Sequence, residues 1–478
     1  MTAVEVPLLR RQAYLDGEWV DSDSGATFPV VNPATGETLA EVPRMGAAET
    51  RRALAAAQRA LPEWRSRTAK SRAAVLRRWA DLMLEHEDEL ARLMVLEQGK
   101  PLAEARVEVQ YAASFYEWFG EEAKRVYGDT IPSPWPDRRI HVTKEPVGVT
   151  AGITPWNFPA AMPTRKSAPA LAAGCTMVLK PAEQTPLCAL AIAALGEEAG
   201  VPAGVFSIVT GAAEDAPAIG GELTSNPAVR KLGFTGSTEV GKLLMAQCAP
   251  GLKKISLELG GNAPFVVFDD ADLGEAVAGA ITCKFRNSGQ TCISANRMLV
   301  QEGIYDDFLG AFTDAVRGLK VADGFAEGVN VGPLIDEPAI TKVDRHVADA
   351  VERGAEVLVA GVKVATQTPP IRSGRRVVFV TLDDGSGCTD STFFEDAQGP
   401  YAATVFHSWL LVIRGVLRRT GPRGVSLRAT GAWELPALHE AWEAGGSAGV
   451  QELMATPGEY TDEAIAGAAA SHGSRPVV

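Results

Sequence analysis

Between Val147 and Phe234 short apolar runs alternate with helical stretches, and this pattern constrains the fold more than any other feature of the chain. Val147 to Ile153 reads as a strand, Pro163 to Ala173 as a helix, and Thr176 to Lys180 as a strand. Pro186 to Glu198 (helix), Val205 to Thr210 (strand), Ala213 to Leu223 (helix) and Lys231 to Phe234 (strand) continue the series. Strands linked through helices pair in parallel, so the stretch predicts βαβ units in a doubly wound α/β sheet. Ligands of such sheets, dinucleotides above all, bind at the C-terminal ends of the strands.

Around this segment the texture differs. Tyr14 to Val20 places an Asp16-Gly17 turn between two short strands, and Ala47–Trp64, Ser71–Gln98 and Ala103–Ala123 read as helices. The aromatic stripe Phe115, Trp118 and Phe119 on the last of these is expected in the core. A second α/β stretch runs from Lys253 to about Gly361. With 478 residues and a net charge of −13, the chain is expected to hold two or three domains and to lack the basic footprint of a nucleic-acid binder. No apolar run is long enough to span a membrane. Six scattered cysteines, with no C-x-x-C pair, argue against a disulfide scaffold and a zinc site, so no metal is expected. Free thiols without an export signal point to the cytoplasm.

The Rossmann glycine fingerprint is absent. Phe234-Thr235-Gly236-Ser237-Thr238-Glu239-Val240-Gly241 instead ends a strand in a Gly turn and caps a helix with Ser237, a geometry that aims N–H groups at a pyrophosphate. On its own it reads equally well as an ordinary capped helix. Four more segments accompany it: Thr154-Pro155-Trp156-Asn157-Phe158-Pro159, Lys180-Pro181-Ala182-Glu183-Gln184-Thr185-Pro186, Leu257-Glu258-Leu259-Gly260-Gly261-Asn262, and Phe285-Arg286-Asn287-Ser288-Gly289-Gln290-Thr291-Cys292. Together, in this order and spacing, they closely resemble the signature motifs of the aldehyde dehydrogenase superfamily, nearest to its succinate-semialdehyde branch. The resemblance extends from about Ala13 to Gly361.

The resemblance implies a Rossmann-type NAD domain (residues 1–235, with a bridging β segment near 124–143), an α/β catalytic domain (236–400) and a divergent C-terminal segment (401–478). Cys292 becomes the nucleophile that gives an aldehyde the tetrahedral centre from which hydride can leave. The Asn157 amide and the Cys292 N–H hold the oxyanion, and Glu258 activates the water that releases the acid. Thr154, Pro155, Trp156, Lys180, Glu183, Gly211, Phe234, Gly236, Ser237, Val240, Leu259 and Asp396 are the implied cofactor contacts. The Glu183 carboxylate suits a free ribose 2′-hydroxyl, favouring NAD while leaving NADP open. Arg165 and Arg286 match the arginines that bind the distal carboxylate of a semialdehyde. Succinate semialdehyde is the expected substrate; glutarate semialdehyde, an inactive homologue and a cysteine esterase are the alternatives. The partner set is a small aldehyde with a distal carboxylate, no nucleic acid and no membrane, in a homodimer or homotetramer.

After Gly361 the match fails. Glu395 to Pro400 resembles the family's ribose-holding turn only loosely, with Asp396 at the key position. No lysine follows Lys363, and arginine, glycine and proline take over. Two explanations compete: translation from a shifted reading frame of a GC-rich gene, or a genuine divergent tail that rebuilds the pocket.

Overall fold

The computed structural model describes residues 6–352, 357–368, 377–383, 388–421 and 424–455. The chain divides into two compact units, Met1–Glu337 and Pro338–Val478.

The first unit opens with two hairpins, β1 (Ala13–Leu15) with β2 (Glu18–Val20) and β3 (Thr27–Val31) with β4 (Thr38–Pro43). Helices α1 (Ala47–Ser66), α2 (Ala69–Glu85), α3 (Glu87–Gln98) and α4 (Leu102–Glu122) follow. The single helix expected over 71–98 is broken at His86, and Gly99 ends α3 at φ 90°, a left-handed cap that glycine adopts without strain. Trp79 of α2 stacks on Tyr116 of α4 with centroids 4.2 Å apart, and its indole N–H donates to the Ile192 carbonyl at 2.9 Å. The expected aromatic stripe on α4 is only partly core: Phe115 and Phe119 are half-buried against the core, Trp118 is 63% exposed, and Ala105, Val109, Ala112 and Tyr116 make the fully buried face. That face is one helical step away from the aromatic one, and small residues pack the closer helix contact.

An exposed hairpin of β5 (Asp129–Ile131) and β6 (Ile140–Val142) leads into β7 (Val149–Ile153), α5 (Ala161–Ala172), β8 (Thr176–Lys180), α6 (Pro186–Glu198), β9 (Phe206–Ile208), α7 (Ala216–Ser225), β10 (Val229–Thr235), α8 (Thr238–Cys248) and β11 (Lys254–Glu258). These strands form one sheet in the order β11-β10-β7-β8-β9-β1-β2, parallel from β11 to β9. The βαβ reading therefore holds. A boundary at residue 235 does not fit, because β11 pairs with β10 and extends this sheet to Glu258. The chain winds outward from β7 through β8 to β9 and then returns to the other side of β7, so the topological switch point lies between β7 and β10.

The unit closes with β12 (Ala263–Val267), α9 (Leu273–Phe285), β13 (Ala295–Val300) and α10 (Tyr305–Arg317). β12 and β13 form a parallel sheet of two strands. Phe265, Val267, Met298 and Val300 pack with α9 and α10, whereas Val266, Phe268 and Leu299 are exposed.

The second unit begins in α11 (Glu337–Glu352). β14 (Val357–Gln367), β15 (Val378–Asp383), β16 (Cys388–Phe393), β17 (Leu410–Gly421) and β18 (Gly424–Glu434) close into a barrel, β14-β15-β16-β18-β17. Helix α12 (Glu395–His407) lies between β16 and β17, and α13 (Leu435–Ala455) follows. Val378, Val380 and Leu382 alternate inward along β15, while Ala397, Tyr401 and Val405 bring α12 onto the barrel core. Lys363 donates to the carbonyls of Val405 and Phe406 at 2.9 and 3.0 Å, capping the end of α12. Period-two burial and a closed barrel support the genuine divergent tail over a shifted reading frame. The boundary expected at residue 400 falls inside α12, and Asp396 lies on the same helix; its side chain is outside the described residues.

Candidate active site

The sequence motifs converge because they follow four neighbouring parallel strands. Ile153 pairs with Lys180 and with Phe234, and Thr235 pairs with Glu258. Thr154–Phe158, Lys180–Glu183, Gly236–Val240 and Glu258–Leu259 therefore stand along one sheet edge, at the switch point.

At the β7 end the Thr154 N–H donates to the Lys180 carbonyl at 3.1 Å. The Thr154 hydroxyl is buried and has no hydrogen-bond partner, a cost that a bound polar group would relieve. Lys180 is buried, and burial lowers its pKa; its ammonium donates to the Pro181 carbonyl at 3.1 Å and to the Glu183 carboxylate at 3.3 Å. Glu183 lines a cavity of about 450 Å³ together with Gln184, Ala212 and Glu214, just beyond Gly211. Ser237 caps α8, its hydroxyl accepting from the Val240 N–H at 3.2 Å, and the Phe234 ring lies across Gly236, where an added Cβ would come within 2.4 Å of it. Leu259 packs against Gly241 on the same helix. An unpartnered buried hydroxyl, a buried lysine beside a carboxylate and an open helix N-terminus together fit a dinucleotide.

Cys292 is exposed, on the loop between α9 and β13. Asn287 and Ser288 in that loop have φ of 54° and 58°, and Gly289 has φ of 72°. This left-handed run turns the chain sharply ahead of the thiol. The Asn157 side-chain amide donates to the Gln290 carbonyl at 2.9 Å, joining the amide loop to the thiol loop. Gly261 lies against the Cys292 carbonyl: an added Cβ would be 2.8 Å from that oxygen. Asn157, Cys292 and the segment after Glu258 thus meet in one place.

The two arginines behave differently. Arg165 on α5 reaches Glu258, with Nη2 and Oε1 3.6 Å apart and both side chains about half exposed. Arg286 lies over the Phe158 ring, 5.5 Å from its centroid, one residue beyond Asn157. Beside Arg165, Lys166 donates to the Thr235 hydroxyl at 2.7 Å, and burial, followed by repulsion from Arg165, brings its pKa down to about 8.

Sequence reasoning missed the groups that hold the two loops. Lys100 donates to the Asn157 backbone carbonyl at 2.9 Å and forms a buried ion pair with Glu108. Glu104 accepts the Asn287 N–H at 2.8 Å. The signal was present in α4: Glu108 falls on the same helical stripe as Ala105, Val109 and Ala112, where a carboxylate demands a partner. No group of three or more His, Cys, Asp or Glu positioned to hold a metal occurs among the described residues.

Comparison with known proteins accounts for both units. The family described as OB-fold nucleic acid binding domain matches residues 351–435, the barrel segment. Glutarate-semialdehyde dehydrogenase of Pseudomonas aeruginosa is 64% identical over 361 residues, 76% of this chain and 74% of that protein. The NADP(+) succinate-semialdehyde dehydrogenase of Escherichia coli is 63% identical over 354 residues, 74% of this chain and 73% of that protein. The crystal structure of succinate-semialdehyde dehydrogenase from Burkholderia pseudomallei is 60% identical, with a TM-score of 0.73, covering 76% of this chain and 74% of that one. The aldehyde dehydrogenase family itself matches residues 19–378, which leaves Asp396 outside the match and removes the basis for placing it at the nicotinamide ribose. The joining of the thiol loop to the amide loop and to the segment after Glu258 has its explanation in this descent: the chain belongs to the aldehyde dehydrogenase family.

Proposed function

We propose that the first unit oxidises succinate semialdehyde to succinate, with NAD as the preferred acceptor and NADP also admitted. The observation that carries the reading is the bond from the Asn157 amide to the loop of the exposed Cys292, with Gly261, three residues after Glu258, against the Cys292 carbonyl. The Cys292 thiolate adds to the aldehyde carbon and forms a thiohemiacetal. The Asn157 amide keeps one N–H beyond its bond to Gln290, and that N–H and the Cys292 backbone N–H receive the oxyanion. Lys180 and Glu183 hold the ribose, Gly236, Ser237 and Val240 the pyrophosphate, and Thr154, Pro155, Trp156 and Leu259 flank the nicotinamide end, with Gly211 and Phe234 as walls. The dinucleotide supplies the hydride acceptor. Loss of hydride leaves a thioester on Cys292; Glu258 takes a proton from water, the hydroxide adds to the acyl carbon, and the carboxylate departs as the thiolate returns.

Arg286, set on Phe158, and Arg165 supply the cationic anchor for the distal carboxylate. An added methylene changes discrimination by only about 1–3 kcal/mol, so glutarate semialdehyde is the nearest competing substrate. Free thiols at Cys175, Cys188, Cys248, Cys283 and Cys292 suit a reducing compartment, and the cytoplasm is the proposed location. No helix among the described residues is long and apolar enough to cross a membrane. NADH absorbance with succinate semialdehyde, glutarate semialdehyde and butanal, with Cys292→Ala as control, tests the assignment. Equal rates for all three aldehydes, or turnover that survives Cys292→Ala, would refute it.

The barrel supports a separate reading. Between Val357 and Glu434 there are nine Arg and Lys against six Asp and Glu, so the whole-chain charge of −13 hides a basic segment. Arg372, Arg375 and Arg376 fall between β14 and β15, and Arg418, Arg419 and Arg423 fall at the β17–β18 turn, the two loops with which such barrels grip single-stranded nucleic acid. Fluorescence anisotropy with labelled oligo(dT) tests this; affinity independent of salt would exclude a phosphate-tracking mode.

A further inference from the structure

We propose that the buried Lys100–Glu108 ion pair is the positioning device of the oxyanion pocket, acting through Asn157. The proposal rests on the reading of Asn157 as an oxyanion donor. Both side chains are 1% exposed. Two charges out of water are expensive to keep, and apolar residues of similar volume would serve a purely structural purpose as well or better. Where their hydrogen bonds go is therefore informative, and they converge on one loop.

Lys100 Nζ donates to the Asn157 carbonyl at 2.9 Å and lies 4.3 Å from the centroid of the Phe158 ring. Glu108 Oε1 accepts the N–H groups of Ala160 and Ala161 at 3.0 and 3.2 Å, while its other oxygen accepts from Lys100. Ala160 is the N-cap of α5 and has no side chain to cap with, so Glu108 satisfies the first turn of that helix from α4. The pair thus pins the loop at both ends, at Asn157 and at Ala160–Ala161. Its geometry is passed on: Asn287 Nδ2 donates to the same Asn157 carbonyl at 3.0 Å, and Glu104, one turn earlier on α4, accepts the Asn287 backbone N–H. Helix α4 therefore sets the amide loop and the thiol loop against each other, without touching the reacting atoms.

The test compares Asn157→Ala, the double variant Lys100→Met/Glu108→Gln, and the two combined. The double variant leaves no unpaired buried charge. The readouts need no dinucleotide: the acylation burst with p-nitrophenyl acetate, which uses the oxyanion pocket, and alkylation by iodoacetamide, which uses only the thiolate. Asn157→Ala should slow acylation about 100-fold with alkylation unchanged. Lys100→Met/Glu108→Gln should slow acylation about 10-fold or more, with alkylation within about twofold, and should add less than about twofold in the Asn157→Ala background. Should the double variant fail to fold, Lys100→Leu/Glu108→Gln, which also leaves no buried charge and keeps the acceptor for Ala160 and Ala161, provides the same comparison. Wild-type acylation in a folded variant, equal slowing of acylation and alkylation, or full additivity with Asn157→Ala would overturn the positioning role. Unchanged acylation in Asn157→Ala alone would instead remove the oxyanion reading on which it rests.

Discussion

Gly260 and Gly261 offer a matched pair of substitutions next to the nucleophile. Neither has a left-handed φ, so alanine is accepted by the backbone at both, and the comparison is one of space alone. At Gly260 the nearest atom to an added Cβ is the Thr238 hydroxyl oxygen at 3.8 Å, an ordinary contact. At Gly261 it is the Cys292 carbonyl oxygen at 2.8 Å, a backbone atom that cannot swing aside. Ordinary contact begins near 3.4 Å, so Gly261→Ala must push the thiol loop back by roughly half an ångström. Misplacing a reacting group by 1 Å costs on the order of 100-fold, so about a 10-fold loss is expected at Gly261 and essentially none at Gly260. The assay is steady-state turnover of succinate semialdehyde beside thermal unfolding of both variants. Equal turnover in the two variants, or a loss at Gly261 that follows a lower Tm in parallel, would refute the claim that Gly261 keeps room for the Cys292 carbonyl.

Arg286→Met should lower kcat/KM for succinate semialdehyde about 10- to 100-fold while leaving butanal within about threefold; equal losses would mean Arg286 serves the loop rather than the substrate tail. Glu97 is buried and accepts the N–H groups of Leu187 and Cys188 at 2.7 and 2.8 Å, and burial pushes its pKa up to about 7. The native state then holds a proton that the unfolded chain releases above about 4.5, so stability should fall as pH rises from about 4.5 to 7, by roughly 1–3 kcal/mol. The urea midpoint of the wild type should therefore fall relative to that of Glu97→Gln as pH rises from about 4.5 to 7, and parallel curves would count against it. Lys363→Met removes the cap on α12 and should destabilise the barrel by about 1–2 kcal/mol, read from the denaturant midpoint of tryptophan fluorescence. An unchanged midpoint would show that the bonds to Val405 and Phe406 are replaced by water at no cost.

How legible the site was depended on distance along the chain. Thr154 to Phe158, Lys180 to Glu183 and Phe234 to Gly241 could be read because each is a continuous run at a strand end, and parallel pairing then aligns the ends. Lys100 and Glu108 act on a loop some fifty residues away, a contact that no local pattern announces. Trp118 was misread because an aromatic at helical spacing describes two adjacent stripes equally well, and packing selects the one with small residues. The domain limits failed for a related reason. Strand β11 follows a helix and a glycine-bearing turn and so reads as the start of a new unit, yet its hydrogen bonds belong to β10. The barrel was hidden by its arginine-, glycine- and proline-rich connections, which obscure the alternation of Val378, Val380 and Leu382.

The two-stranded sheet of β12 and β13 has a consequence for the thiol it supports. Gly261 stands just before β12 and Cys292 just before β13, so both walls of the nucleophile's loop hang from these strands. Parallel strands ordinarily gain their stability from cover on both faces, and here Val266 and Leu299 are at least half exposed. The free energy needed to open this pair locally is therefore smaller than for the seven-stranded sheet beside it. The dinucleotide-type edge is rooted in the larger sheet, while the nucleophile is moored to a strand pair that should exchange its amide protons sooner than that sheet.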